Sequence, residues 1–169
     1  MNESIVVDRL YKSYKLSKKR QRIEKTKDKE RAALRGLSFT AYRGEVFGLL
    51  GPNGAGKTTT LRILSTLISA DSGTALVDGF DVSAQASEVR KRIGFLTSEL
   101  KLEDFFTPDY LFDFFGKLYG VERETLALRK AALFENFGVD KYAEVKVGQL
   151  STGMKQKVSL VMSIVHDPD

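Results

Sequence analysis

The sequence predicts an α/β fold, with strands dominating residues 1–100 and helices the rest. Three patterns carry that prediction. Short apolar or alternating runs, cut by turn dipeptides, fill the first part. An almost continuous apolar run leads through a Gly/Pro/Asn loop into an amphipathic helix, Lys57–Ile68. The last third holds stretches of helical period closed by glycine. Strands first and helices last indicate a strand-rich core with a helical subdomain.

The elements follow in chain order. Ser4–Leu10 and Leu37–Tyr42 read as strands, the second alternating and rich in β-branched or aromatic residues. Val46–Leu50 (VFGLL) reads as a strand covered on both faces, because it is apolar nearly throughout. In the helix that follows, Leu61, Leu64, Leu67 and Ile68 share one face. Thr74–Val77 is a strand closed by Asp78-Gly79, Ala86–Arg92 a short helix and Ile93–Leu96 another strand. Pro108 suits the first turn of a helix reaching Leu118, which Gly120 closes. Glu122–Phe137, closed by Gly138, and Gly153–Val165 complete the helices.

Composition removes several classes. There is no cysteine and one histidine, His166, so neither a disulfide framework nor a thiolate or histidine-rich metal centre is available. The longest apolar runs, Val46–Leu50 and Val158–Val165, fall far short of the roughly 20 residues that cross a bilayer. The N-terminus lacks the order of a signal peptide. The net charge of +5 is unevenly spread: Arg9 to Arg35 holds twelve Lys or Arg and three Asp or Glu. Residues 17–35 thus form a basic insert. It reads as a solvated loop or short helix between two strands, or as a contact for nucleic acid or an anionic membrane surface. No aromatic residue interleaves the charges to stack on bases, which argues against nucleic acid.

The strongest motif is Gly51-Pro52-Asn53-Gly54-Ala55-Gly56-Lys57-Thr58-Thr59, a G-x-x-x-x-G-K-[ST] pattern between an apolar run and a helix. Its residue types suit a polyphosphate. Glycines let the backbone curl so that successive N–H groups point inward, and the helix adds the positive end of its dipole. Lys57 supplies an ammonium for the β- and γ-phosphates. The Thr58 hydroxyl is placed to ligate Mg²⁺, and Thr59 can donate on the α-phosphate side. The fold expected is therefore a P-loop NTPase core.

A second motif narrows the class. Leu150-Ser151-Thr152-Gly153-Met154 opens the helix MKQKVSLVMSIV, with Ser151 lying 94 residues after Lys57. Together with GPNGAGKTT, this resembles the ATP-binding subunits of ABC transporters, whose usual signature is L-S-G-G-Q. Here the first glycine is threonine. The resemblance covers essentially the whole chain and implies an ABC-type core with an N-terminal antiparallel β element, a helical subdomain over 101–152 and a signature helix over 153–169. Tyr14, in LYKSYKL, matches the family's adenine-stacking aromatic, with Tyr11 as second choice. Ile93–Leu100 (IGFLTSEL) matches the family's glutamine loop, with Ser98 at the glutamine position as a second Mg²⁺ candidate and Glu99 after it. That departure and LSTGMKQKVSL look like the sodium-efflux and related ABC-2 exporters.

The resemblance implies ATP and Mg²⁺ as ligands. It also implies a homodimer or heterodimer of ATP-binding subunits, closed head to tail so that Ser151 and the Gly153 amide meet a γ-phosphate bound by the other copy. A membrane-embedded permease would be the partner, placing the chain in the cytoplasm at the inner face of the membrane. Of the aromatics in Phe105–Tyr119, the subdomain's own core is expected to take most, leaving Phe105 and Phe106 as candidates to line the permease groove. The family's next segment, an apolar strand ending in Asp-Glu, lies beyond Asp169. Slow hydrolysis by this chain alone, and poor solubility, are the expectations. His166 reads as a cationic imidazole near a helix C-terminus. Competing readings are an ABC ATPase acting on nucleic acid or ribosomes, and a non-catalytic nucleotide-binding remnant.

Overall fold

The computed structural model describes residues 2–23, 25–97 and 102–169. They form two compact units, Met1–Arg90 and Lys91–Asp169.

The first unit is built on a four-stranded antiparallel sheet. Strands β1 (Glu3–Lys15), β2 (Glu30–Tyr42), β3 (Ser72–Val77) and β4 (Phe80–Asp81) lie in the order β2-β1-β3-β4. β1 and β2 run well beyond the short strands that local composition marks. Their ladder extends from Glu3↔Tyr42 to Lys15↔Glu30, and the Leu16 N–H donates to the Lys29 carbonyl at 2.8 Å beyond it. The basic insert therefore divides. Lys18–Ile23 forms a short helix, α1, at the hairpin tip, while residues 30–35 are part of β2.

The long ladder is bent by register shifts around Asp8 and Arg9. Arg9 adopts φ 43°, and its N–H donates to Ser38 Oγ at 2.8 Å. Gly73 sits against this bulge; a Cβ there would collide with the Arg9 carbonyl. The β3–β4 turn uses positive φ at Asp78 and Gly79, the pairing that suits the twist of a two-residue hairpin. Val7, Leu10, Leu34, Ala41, Ala75 and Val77 are buried on this sheet.

Two expected strands are absent. Residues 46–50 join no ladder among the described residues, and Val46 and Leu50 are 103% and 95% exposed. A run apolar on both faces becomes a strand only where neighbours take up both its backbone and its side chains. Among the described residues the sheet is built of β1 to β4, and Phe47 stacks on Phe39 at 4.9 Å. Residues 93–96 likewise have no strand partner among the described residues.

Helix α2 spans Lys57–Leu64, four residues short of the expected end, because Thr66 takes φ 61°. Its buried residues are Thr60, Ile63 and Leu64, so the inward face is rotated from the expected one; Leu61 and Leu67 are exposed. Helix α3 covers Ala86–Arg92, with Val89 fully buried.

The second unit packs α4 (Pro108–Leu118), α5 (Arg123–Phe137) and α6 (Thr152–Ser163), with two short 3₁₀ turns between α5 and α6. Thr107 caps α4, its hydroxyl accepting from the Tyr110 N–H at 3.2 Å, with Pro108 in the first turn. Gly138 closes α5 at φ 64°. The core joins Leu111 and Phe112 of α4 to Leu126 and Phe134 of α5 and Val158 and Val161 of α6. Phe112 meets Phe134 edge-on at 5.4 Å.

Lys130 spans α5 to α4, donating to Asp109 at 2.6 Å and pairing with Asp113 at 2.8 Å. Burial works against its charge, but the two carboxylate hydrogen bonds more than offset that and raise its pKa.

Candidate phosphate-loop site

The loop from Gly51 to Gly56 depends on backbone that glycine alone enters cheaply. Gly51, Gly54 and Gly56 have φ 154°, 87° and 94°. Gly56 is also the N-cap of α2 and is pressed against β2. A Cβ there would stand 2.6 Å from both the Ala33 carbonyl oxygen and Leu34 Cδ2. The buried Thr60 ties the helix start down, its N–H and hydroxyl both donating to the Gly56 carbonyl, at 2.8 and 3.1 Å. The curled loop is thus fixed between a strand and a helix before any ligand arrives.

The Lys57 side chain folds back along the loop. Its ammonium donates to the Gly51 carbonyl at 2.6 Å and the Pro52 carbonyl at 2.9 Å. Asn53, Gly54, Gly56, Lys57, Thr58 and Thr59 line one cavity of about 460 Å³ together with Tyr14 of β1. Tyr14, some forty residues earlier in the chain, reaches the loop because β1 continues to Lys15. Its hydroxyl lies 3.5 Å from Thr59 Oγ1. Gly51, Pro52 and Ala55 complete the loop without lining that cavity. Tyr11, the second choice, is not among the lining residues either; its ring instead lies against Gly36.

The sequence reading missed Leu16, Arg31, Ala33 and Arg62, which share the lining. No local motif marks them. Arg31 and Ala33 come into view only through the β1–β2 register, which places Arg31 opposite Tyr14. Asp71 was missed as well. It accepts from the Ser13 N–H at 2.6 Å and from the Lys12 ammonium at 2.7 Å, while its own N–H donates to the Tyr11 carbonyl. These bonds, the Lys12 one first, hold its carboxyl below the ordinary value. They pin the strand immediately before Tyr14. Lys12 in turn lies 5.9 Å from the Tyr14 ring centroid, a cation–π distance.

This arrangement fits a polyphosphate. Arg31, Lys57 and Arg62 surround the cavity, and no Asp or Glu is among the described residues lining it. Thr58 offers one hydroxyl to a divalent cation. Mg²⁺ keeps several waters and takes phosphate oxygens, so a single protein ligand suffices to place it. No cluster of three or more His, Cys, Asp or Glu able to hold a metal occurs among the described residues. Ser98 and Glu99 lie outside the described residues.

In the second unit, Ser151 caps α6, its hydroxyl accepting from the Met154 N–H at 3.3 Å. Gly153 follows in the first turn, and a Cβ there would meet nothing within 4 Å. Both are exposed at the start of the helix.

The aromatic segment divides more evenly than expected. Phe112 is fully buried, and Phe106 and Phe115 pack against the core. Phe105, Tyr110, Phe114 and Tyr119 are exposed. Phe106, Tyr110 and Phe114 form a stacked row along α4, at 4.5 and 6.3 Å. Phe106 is thus shared between core and surface. No helix among the described residues is long and apolar enough to cross a membrane.

The ABC transporter family profile matches residues 34–169, well over half of the chain. The chain is 44% identical over 138 residues to the ABC transporter ATP-binding protein NatA of Bacillus subtilis (strain 168), covering 81% of this chain and 56% of that protein. It is 39% identical over 140 residues to the Nod factor export ATP-binding protein I of Burkholderia lata, covering 83% and 46% respectively. The chain therefore spans about half the length of these relatives. A dimeric ATP-binding cassette, solved in a post-hydrolysis state with ADP and phosphate, shares the fold at a TM-score of 0.76 and 22% identity, covering 97% of this chain and 70% of that one. On the profile match and the identity to NatA, the chain belongs to the ABC transporter family, among its ATP-binding proteins.

Proposed function

We propose that this chain is the nucleotide-binding part of an ATP-hydrolysing subunit that drives an ABC exporter of ions or small molecules. The observation that carries the reading is the single cavity in which Tyr14 and the phosphate loop meet. An aromatic face at one end and curled amides with cations at the other match the two ends of ATP. On binding, the Lys57 ammonium exchanges the Gly51 and Pro52 carbonyls for phosphate oxygens, a charge-assisted bond stronger than those it leaves. Thr58 would hold Mg²⁺ through its hydroxyl, and the ion would supply charge neutralisation to the bound phosphates. Tyr14 stacks on the adenine, and Asp71 keeps the strand under it in register.

Among the described residues, the lining offers cations and hydroxyls but no carboxylate to orient an attacking water. The residues around the cavity therefore support binding, and catalysis requires a base from elsewhere. The exposed start of α6, with Ser151 and Gly153, suits the γ-phosphate held by a second ATP-binding subunit. The dimer seen for the related cassette supports that arrangement. The aromatic row on α4, with Phe105 beside it, suits an apolar segment of a permease, which would place the chain in the cytoplasm at the membrane's inner face. The resemblance to a Nod factor export ATP-binding protein supports export.

The test is direct binding of labelled ATP with Mg²⁺ by equilibrium dialysis. Lys57→Ala should weaken ATP by about 10- to 100-fold, the loss of a hydrogen-bonded charge worth roughly 1.5–3 kcal/mol. An unchanged affinity would remove the phosphate-loop reading.

A further inference from the structure

Arg31 stands at the junction of the two halves of the cavity. In the β1–β2 register it is the direct partner of Tyr14. Facing residues of an antiparallel pair project from the same side of the sheet with Cβ atoms about 5 Å apart. Both side chains line the cavity of the phosphate loop. The Arg31 guanidinium extends away from the strand toward the loop: its Nη2 lies 3.4 Å from where a Cβ on Gly54 would stand. Gly54 is the middle glycine of the loop, so this cation sits where the curled amides present themselves.

The chemistry of the cation matters. Lys57 offers a point charge and reaches the loop from α2. A guanidinium offers a planar fork of donors matched to two phosphate oxygens, and it stays charged at any working pH. With Arg31, Lys57 and Arg62 around it and no carboxylate among the described residues lining it, the cavity suits a ligand carrying several negative charges.

The β hairpin explains how this residue arrives there. If β1 ended at Leu10 and β2 began at Leu37, no backbone would hold Arg31 opposite Tyr14. The extension of both strands to Lys15 and Glu30 delivers the pair together.

We infer that Arg31 is a second phosphate-binding cation of this site, donating from β2 to the phosphate chain of the nucleotide whose base stacks on Tyr14. The inference rests on the nucleotide-binding reading given above and adds a residue to it. It gives the basic hairpin a role in ligand binding.

The experiment is isothermal titration of the protein, with Arg31→Ala, Arg31→Lys and Lys57→Ala, against ATP, adenosine and inorganic tripolyphosphate, beside thermal melts without ligand. Arg31→Ala should weaken ATP and tripolyphosphate by about 10-fold or more, as expected for a hydrogen bond to a charged group. Adenosine affinity and the ligand-free melting temperature should stay as in the wild type. Arg31→Lys should recover part of the loss, since it keeps the charge but not the fork. Wild-type ATP affinity in Arg31→Ala, alongside a loss in Lys57→Ala, would overturn the role of Arg31 and leave the site standing. So would an equal loss for ATP and adenosine accompanied by a lowered melting temperature, which marks a structural role. Failure of the wild type itself to bind ATP would overturn both.

Discussion

Two glycines of the nucleotide motifs illustrate how differently the same residue type is constrained. Gly56 has φ 94°, and a side chain there would strike the Ala33 carbonyl and Leu34 at 2.6 Å. Gly153 has no positive φ and open space around its Cβ position. Gly56→Ala should therefore cost about 1–3 kcal/mol of stability, from strain plus the forced shift of β2, and should weaken ATP as well. Gly153→Ala sits in an exposed first turn of helix and should leave the melting temperature within a degree or two, since such sites usually change stability by less than about 0.5 kcal/mol. Thermal melts of both variants check this; a Gly56→Ala protein as stable as wild type would show that the loop is not pressed on β2. Here sequence and structure meet unevenly. The spacing of the motif marks Gly56 as a phosphate-loop residue, but its packing against Ala33 depends on a strand pairing that no local pattern encodes. Arg31 and Asp71 lie outside legible motifs for the same reason.

At the scale of elements, the sequence reads best where the signal is local. Thr107 and Pro108 start α4, Gly138 stops α5, and α3 takes its expected bounds. The lengths of β1 and β2 were hidden, because polar residues such as Lys12, Ser13 and Lys15 become strand only through cross-chain hydrogen bonds. The segment after α6 corrects a second expectation. His166, expected as a cationic imidazole near a helix C-terminus, is half-buried in a setting that disfavours its charge. Its ring stacks on Tyr119 with centroids 3.9 Å apart, and Nε2 lies 3.1 Å from the Ile93 carbonyl. That contact assigns the proton to Nε2 and leaves Nδ1 buried without a partner among the described residues. Burial lowers the pKa from its ordinary 6.5 and the Arg129 charge adds to this, while the Ile93 bond and Asp167 oppose it.

The sign follows from linkage. Because the folded imidazole takes a proton less readily than the unfolded one, its contribution is fully present above about pH 6.5 and is lost as pH falls below that value. Wild type should lose more melting temperature between pH 7.5 and 5.5 than His166→Gln. Equal losses would show that the imidazole does not resist protonation.

For the molecule as a whole, the same residues that look like a core strand in the sequence present the largest apolar exposure in the fold. Val46 and Leu50 are almost wholly exposed, Phe47 and Leu61 partly so, and residues 46–50 have no ladder partner among the described residues. An apolar segment outside the sheet, its large side chains facing solvent, is a surface on which another chain can pack. Apolar contact would add roughly 1.5–3 kcal/mol for each large side chain it buries. The net charge of +5 opposes association only weakly, since much of it is concentrated on the hairpin, where salt screens it beyond about 10 Å. Self-association of the 169-residue chain, rising with concentration and little affected by salt, is therefore expected in sedimentation velocity. Placing like charges along the segment, with Val46→Lys and Leu50→Lys together, should return the protein toward monomer by making association bring ammonium groups together. Arg62→Glu, which changes charge on α2 by a similar amount without touching the segment, should not. A monodisperse wild-type monomer at high micromolar concentration would mean that residues 46–50 find cover within a single chain.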